Sequence, residues 1–306
     1  MKKKKKKSFL LVGDVREKLK ELPDNSVHCC VTSPPYWGLR DYGEQNQIGL
    51  EQSPDEYVEK IVGIFREVRR VLKDDGTLWL NLGDTYNGAK VGNTNQNVGA
   101  KRHANKSFSK PLWGKLKPKD LVGIPWRVAF ALQEDGWYLR QDIIWAKPNP
   151  MPESVKDRCT KSHEHIFLFS KSEKYFFDNE AIKEPVKQDW GTRNRTNGKY
   201  HNQGTGLQPH TGLTKSYTTK NKRDVWTVAL RPFKGAHFAT FPPDLITPCI
   251  LAGCPRNGLV LDPFFGAGTT GLVAQKNSRA WIGIELNPKY AEMASKRISD
   301  EAVKHK

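Results

Sequence analysis

Asp262-Pro263-Phe264-Phe265-Gly266-Ala267-Gly268-Thr269-Thr270 is the stretch that decides the reading of this 306-residue chain. The apolar run Leu259–Leu261 precedes it, and a helix-forming stretch, Thr269–Lys276, follows it. The two glycines therefore fall in a strand-to-helix turn, where a missing Cβ lets the backbone approach a ligand closely. Ala280–Ile284 reads as the next strand and delivers Glu285 at its tip. A carboxylate in that place can accept both hydroxyls of a ribose. The turn lacks the third glycine of a dinucleotide fingerprint, and no Gly-Lys-Ser/Thr follows as in a phosphate-binding loop. A sulfonium cofactor, which has no phosphates to cradle, fits instead. Asp262 is placed to orient its ammonium group, directly or through water. Without Glu285 the glycines are weak evidence, and the competing reading is a tight packing turn.

Far upstream, the apolar strand Val27–Thr32 runs into Ser33-Pro34-Pro35-Tyr36. Two prolines fix φ and bar a helix, so this backbone is extended and stiff. The Pro34 carbonyl then has a set direction beside the Ser33 hydroxyl, and the two acceptors suit an exocyclic NH2. Such an amine is a poor nucleophile, because its lone pair is delocalised into the ring. Hydrogen bonds to its protons favour a pyramidal nitrogen with the lone pair aimed at a methyl donor. Tyr36 offers a stacking face, worth about 1–3 kcal/mol per base. The competing reading is a proline-stiffened turn.

Between and around these segments, strands alternate with helices. Ser8–Gly13 is a strand ending on Asp14, and Val15–Leu22 a short helix. Ser53-Pro54-Asp55-Glu56 combines an N-cap, a first-turn proline and a capping glutamate. Tyr57, Val58, Ile61, Ile64, Phe65, Val68 and Leu72 then repeat at helical spacing, and Asp74-Asp75-Gly76 reads as the helix end. Thr77–Leu82 is a strand, Pro125–Glu134 a helix, and Asn287-Pro288 caps a last helix. Tyr138–Ala146 and His163–Phe169 follow one another without a helix, which predicts an antiparallel pair at one edge. The fold class is α/β: a Rossmann-like, mostly parallel seven-stranded sheet with an antiparallel edge strand.

The formal net charge is +17, of which Lys2–Lys7 supply six. The remaining excess still points to a polyanionic partner. Two long basic stretches interrupt the alternation. Tyr86–Pro118 holds seven Lys/Arg and no acid, and Pro185–Arg223 holds eight against Asp189 alone. Each is a surface loop or a DNA-contacting insert, with Arg193, Arg195, Lys199, Lys220, Lys222 and Arg223 as candidate contacts. Five cysteines form no disulfide framework and suit a reducing, cytoplasmic setting. There is no apolar stretch long enough for a membrane span. Cys159, His163 and His165 lack the second ligand pair of a zinc site, so no metal is expected. No Pro-Cys pair follows Pro34, which argues against a cysteine nucleophile of the kind used at cytosine C5.

Thr32–Tyr36, the following Trp37–Tyr42, Gly83-Asp84 and Asp262–Thr270 resemble the motifs of the β-class amino-methyltransferases that act on DNA. The resemblance runs from about Gly13 to Arg297, with the catalytic motif first and the cofactor motif last. It implies a circularly permuted, S-adenosylmethionine-dependent fold with an inserted target-recognition region. Residues 8–146 would form the catalytic half, with a mobile loop at 86–118. Residues 147–234 would hold the edge strand and recognition region, and 235–303 the cofactor-binding half. By the same resemblance, His237–Pro242, including Thr240 and Phe241, lines the methionine end of the cofactor, and Asp14 lies near its adenine. The glycine-turn residues Asp262, Pro263, Phe264, Gly266, Gly268 and Thr269, with Glu285, complete the cofactor set. Ser33, Pro34, Pro35 and Tyr36 form the catalytic set. In this family Ser-Pro-Pro-Tyr is typical of cytosine N4 and Asp-Pro-Pro-Tyr of adenine N6. The expected substrate is therefore a flipped cytosine in double-stranded DNA. Adenine N6 is the alternative, and a catalytically inactive DNA-binding protein the third reading. The expected assembly is a monomer or dimer, alongside a separately acting restriction endonuclease.

Overall fold

The computed structural model describes residues 7–39, 41, 43–44, 46–88, 113–186, 218–231 and 240–304. Strands β1 (Phe9–Val12), β2 (Val27–Thr32), β3 (Leu72–Leu82), β4 (Tyr138–Ala146) and β5 (His163–Ser170) come first. The short β6 (Glu184–Pro185), β7 (Thr219–Lys220) and β8 (Val225–Thr227) follow, and then β9 (Leu259–Asp262) and β10 (Ala280–Glu285). The helices are α1 (Val15–Lys18), α2 (Pro54–Val71), α3 (Ile124–Glu134), α4 (Pro243–Gly253), α5 (Thr269–Lys276) and α6 (Pro288–Lys304).

One sheet of eight strands, in the order β1-β10-β9-β2-β3-β5-β4-β8, organises the molecule. All pairings are parallel except those of β5, which runs against both β3 and β4. The seven expected strands are present. The eighth, β8, extends the edge beyond β4, so the antiparallel strand lies two places inside the sheet. Its three residues, Val225–Thr227, are too few to show a period in sequence.

Alternation along the strands feeds two apolar layers. Cys30, Leu78, Leu80, Leu82, Phe167 and Phe169 face α2 and α3. Cys29, Val31, Trp79, Ile166 and Leu168 face α4 and α5 with Trp226. Both faces being covered explains why β2 and β9 are nearly continuous apolar runs. Helix α2 starts as its sequence requires: Ser53 Oγ accepts from Glu56 N at 3.2 Å, and Glu56 Oε2 accepts from Gln52 N at 3.3 Å. Its end differs from expectation. The helix stops at Val71 and the chain enters β3 at once. Register shifts from Val27↔Leu72 to Cys29↔Thr77, so Asp74-Asp75-Gly76 lies in a bulge of β3.

Candidate active site

The carboxyl ends of β1, β10, β9, β2 and β3 lie side by side on one rim of the sheet. From β9 the chain steps through α5 to β10; from β2 it steps through α2 the opposite way to β3. A crevice opens at such a change of direction. The glycine turn after β9 and the Ser-Pro-Pro-Tyr segment after β2 meet there, although 229 positions separate Ser33 from Asp262. A buried bond joins the two sides: Thr32 Oγ1 donates to Asp262 Oδ1 at 2.6 Å.

On the cofactor side, Gly266 and Gly268 have φ of 50° and 74°, a region that favours glycine. Gly268 is the N-cap of α5. Glu285 Oε2 accepts from Gly266 N at 2.7 Å, and its Oε1 accepts from Asn287 N at 2.9 Å. Burial raises the Glu285 pKa above the usual carboxylate range, opposed by those backbone donors. Each oxygen keeps a further lone pair for a ribose hydroxyl. A turn without lysine beside that carboxylate fits a nucleoside cofactor lacking phosphates.

The remaining cofactor candidates take more structural parts. Asp262 is 2% exposed, and it also accepts from Thr270 Oγ1 at 2.7 Å and Phe264 N at 3.0 Å. It therefore ties the turn to β2. Thr269 is buried, its hydroxyl accepting from Arg297 at 3.0 Å. Pro263 is buried, and Phe264 packs on the apolar layer that faces α2 and α3. Phe265 stacks on Trp281 with ring centres 5.1 Å apart. Asp14 lies two residues past Val12, the β1 partner of Glu285, and caps α1, with Arg16 occupying its carboxylate through backbone and side chain. Thr240 and Phe241 lead into α4, with Phe241 packed on the second apolar layer. His237–Ala239 lie outside the described residues.

The target side is held more tightly than sequence showed. Tyr57 Oη donates to the Pro35 carbonyl at 2.9 Å, which fixes the proline pair. Among the described residues nothing donates to the Pro34 carbonyl. Ser33 Oγ donates to Tyr36 Oη at 3.3 Å, and Tyr36 Oη donates to Glu164 Oε2 at 2.7 Å. Asn81, from β3, places Oδ1 3.2 Å from the same phenol and donates through Nδ2 to Glu164 at 3.2 Å. Gly83 lies flat against the Tyr36 ring: a Cβ there would stand 2.6 Å from Cε2.

Glu164, Asn81 and Lys147 are the site residues that sequence reading missed. The only signal was an acid just ahead of the apolar run Ile166–Phe169. Burial pushes Glu164 up, but the charge and hydrogen bond of Lys147, the Tyr36 hydroxyl and the charge of Lys161 together bring it below the usual carboxylate range. Burial and the neighbouring Glu164 charge hold Tyr36 well above an ordinary phenol. Asp84 plays a structural part, its carboxylate accepting from Gly123 and Ile124 N, both at 3.0 Å, at the start of α3.

Of the DNA-contact candidates, Arg193, Arg195 and Lys199 lie outside the described residues. Lys220 sits in β7, paired with Glu184 of β6. Lys222 turns inward to Glu184 at 3.4 Å and lies over the Trp226 ring. Arg223 reaches the same carboxylate at 3.5 Å with an exposed side chain. Glu184 thus pairs with two cations beside β8. Loop 86–118 is described only at its ends, where Asn87 accepts from Trp113 N and donates to the Leu116 carbonyl. Among the described residues no cluster of His, Cys, Asp and Glu could hold a metal ion. Nor is any described helix long and apolar enough to cross a membrane.

A glycine turn beside the Glu285 carboxylate, facing the Ser-Pro-Pro-Tyr segment across the sheet, fits a permuted amino-methyltransferase that uses S-adenosylmethionine. The DNA methylase family of N6/N4 methyltransferases matches residues 27–296, and the chain belongs to it. It is 50% identical over 300 residues to the Type II methyltransferase M.XycI of Xanthomonas campestris pv. cyanopsidis, covering 96% of this chain and 88% of that one. In fold it is similar to the PvuII DNA methyltransferase (cytosine-N4-specific), with a TM-score of 0.63, 22% identity and coverage of 96% and 91%. It is also similar to TTHA0409 of Thermus thermophilus, a putative DNA modification methylase solved with S-adenosyl-L-methionine. There the TM-score is 0.59 at 22% identity, over 96% and 94% of the chains.

Proposed function

We propose that this DNA methyltransferase modifies N4 of a cytosine turned out of the duplex. One observation carries transfer to an amine: the Ser33 hydroxyl and a Pro34 carbonyl without a described donor follow β2, which Thr32 joins to the glycine turn. Ser33 in place of an aspartate favours cytosine. Two acceptors bind the two amine protons and favour the pyramidal nitrogen. Tyr36, held by Gly83 and by its hydroxyl, supplies the stacking face. Bound S-adenosylmethionine supplies an electrophilic methyl group on sulfur. Glu285 and Asp14 line the nucleoside end, and Thr240–Phe241 the methionine end. Asp262 acts through Thr32 by setting the spacing between the two sides. Transfer is direct, without a covalent enzyme intermediate.

Residues 147–234 serve as the recognition region, with the basic insert and Arg223 meeting phosphates. The kinship with Type II methyltransferases supports a place in restriction–modification beside a separate endonuclease. Nucleoside mass spectrometry of DNA treated with the purified protein tests the target: N4-methylcytosine is expected, and N6-methyladenine in its place overturns the assignment. Ser33→Ala should slow single-turnover methylation about 100-fold while changing DNA affinity far less. An unchanged rate removes Ser33 from the amine pocket.

A further inference from the structure

The geometry points to a proton path from the target amine through Ser33 and Tyr36 to the carboxylate of Glu164. It rests on the assignment of Ser33 as amine acceptor. Once the methyl is on nitrogen, that nitrogen is cationic and must lose a proton. Neither Ser33 Oγ nor the Pro34 carbonyl can keep it, since both are far too weak as bases. The bonds after Ser33 run in one sense: Ser33 Oγ donates to Tyr36 Oη, and Tyr36 Oη donates to Glu164 Oε2. The serine lone pairs are thereby left for the amine, and the chain ends on an ionised acid. In the step, the N–H bond breaks and Ser33 Oγ takes the proton. Ser33 passes its own hydrogen to Tyr36, and Tyr36 passes its own to Glu164. Both hydroxyls are regenerated, and the one net proton rests on the carboxyl group. Asn81 Oδ1, 3.2 Å from the phenol, is an amide oxygen and cannot end such a path.

The charges around the acceptor suit it to one proton. Lys147, following β4, pairs with Glu164 Oε1 and lies over the Trp145 ring. Lys161, preceding β5, adds a second cation and donates to the Asp84 carbonyl. Glu153 and Asp84 act on Lys161 in turn, and His163 feels both lysines. On the far side of β5, His165 pairs with Asp142 at 3.0 Å. Glu164 touches no substrate; it acts through Tyr36.

The test is single-turnover transfer of a tritiated methyl group from S-adenosylmethionine to unmodified genomic DNA, measured across pH. The wild-type rate should show one acid limb, lost as Glu164 is protonated. Glu164→Gln keeps an acceptor for the Tyr36 hydroxyl but takes no proton. It should lose about 100-fold in rate, and the limb with it. Tyr36→Phe keeps the ring and breaks the path, so it should lose as much, and the double variant no more than either alone. Lys147→Met should move the acid limb to higher pH. Calorimetric binding of S-adenosylmethionine confirms that each variant is folded; if Glu164→Gln is not, Tyr36→Phe carries the same prediction. A Glu164→Gln enzyme at wild-type rate, or additive losses in the double variant, overturns the path. Mass spectrometry of the same DNA separates the two readings: N6-methyladenine ends the cytosine assignment and leaves the path standing. A full rate for Ser33→Ala removes the path's first member.

Discussion

Burial raises the pKa of the Asp262 carboxyl from 3.8 to about 6, against the pull of Thr32, Thr270 and the Phe264 amide. Between those two values the folded protein binds more protons at this site than the unfolded chain does. Its contribution to stability is therefore full below pH 3.8 and is lost as pH rises through about 6. The loss is on the order of 2–3 kcal/mol. Asp262→Asn keeps one oxygen for a threonine hydroxyl and removes the titration. Urea melts should then show the variant gaining on wild type by that amount between acid and neutral pH. Equal pH dependence in the two proteins would refute the assignment. The enclosed acid that joins the two half-sites thus lowers stability at neutral pH, because burial disfavours its charged form.

Among the elements, α2 shows how far local sequence reaches. Its capping box at Ser53–Glu56 lies on the first turn and was legible residue by residue. Ser53→Ala should cost about 1 kcal/mol of stability, read from the denaturation midpoint, and leave methylation unchanged. At the other end, Asp74-Asp75-Gly76 looked like a terminator because those residues favour turns. Pairing of Leu72 with Val27 overrides that preference and folds the same three residues into a strand bulge. The edge behaves likewise: β8 exists because Ile144–Ala146 offer it a free ladder, with Trp145 beside Trp226.

Across the whole molecule, the permuted order has a geometric consequence. Helix α6 begins at the carboxyl end of β10, runs back along the sheet and packs on β1 and β10. Its last turn is thus carried toward the amino end of β1, the strand next to β10. A chain opened between residues 187 and 217, away from every residue assigned to the cofactor, and closed by a short Gly/Ser linker from Lys304 to Lys7 should fold and bind S-adenosylmethionine with near-wild-type affinity. Calorimetry and thermal melting check this, and a chain that folds but binds no cofactor would contradict the topology. The amino-acid sequence by itself determined the alternation of strands and helices, the rigidity of Ser33–Tyr36, the glycine turn and the carboxylate of Glu285. Each is written in a run of neighbouring residues, as an apolar period or a restriction on φ. Tertiary structure alone decided that Asp262 bonds Thr32, that Glu164 and Lys147 stand behind Tyr36, and that Lys222 turns inward to Glu184. Those contacts join residues from separate strands and loops, and only the order of strands in the sheet sets which ones meet.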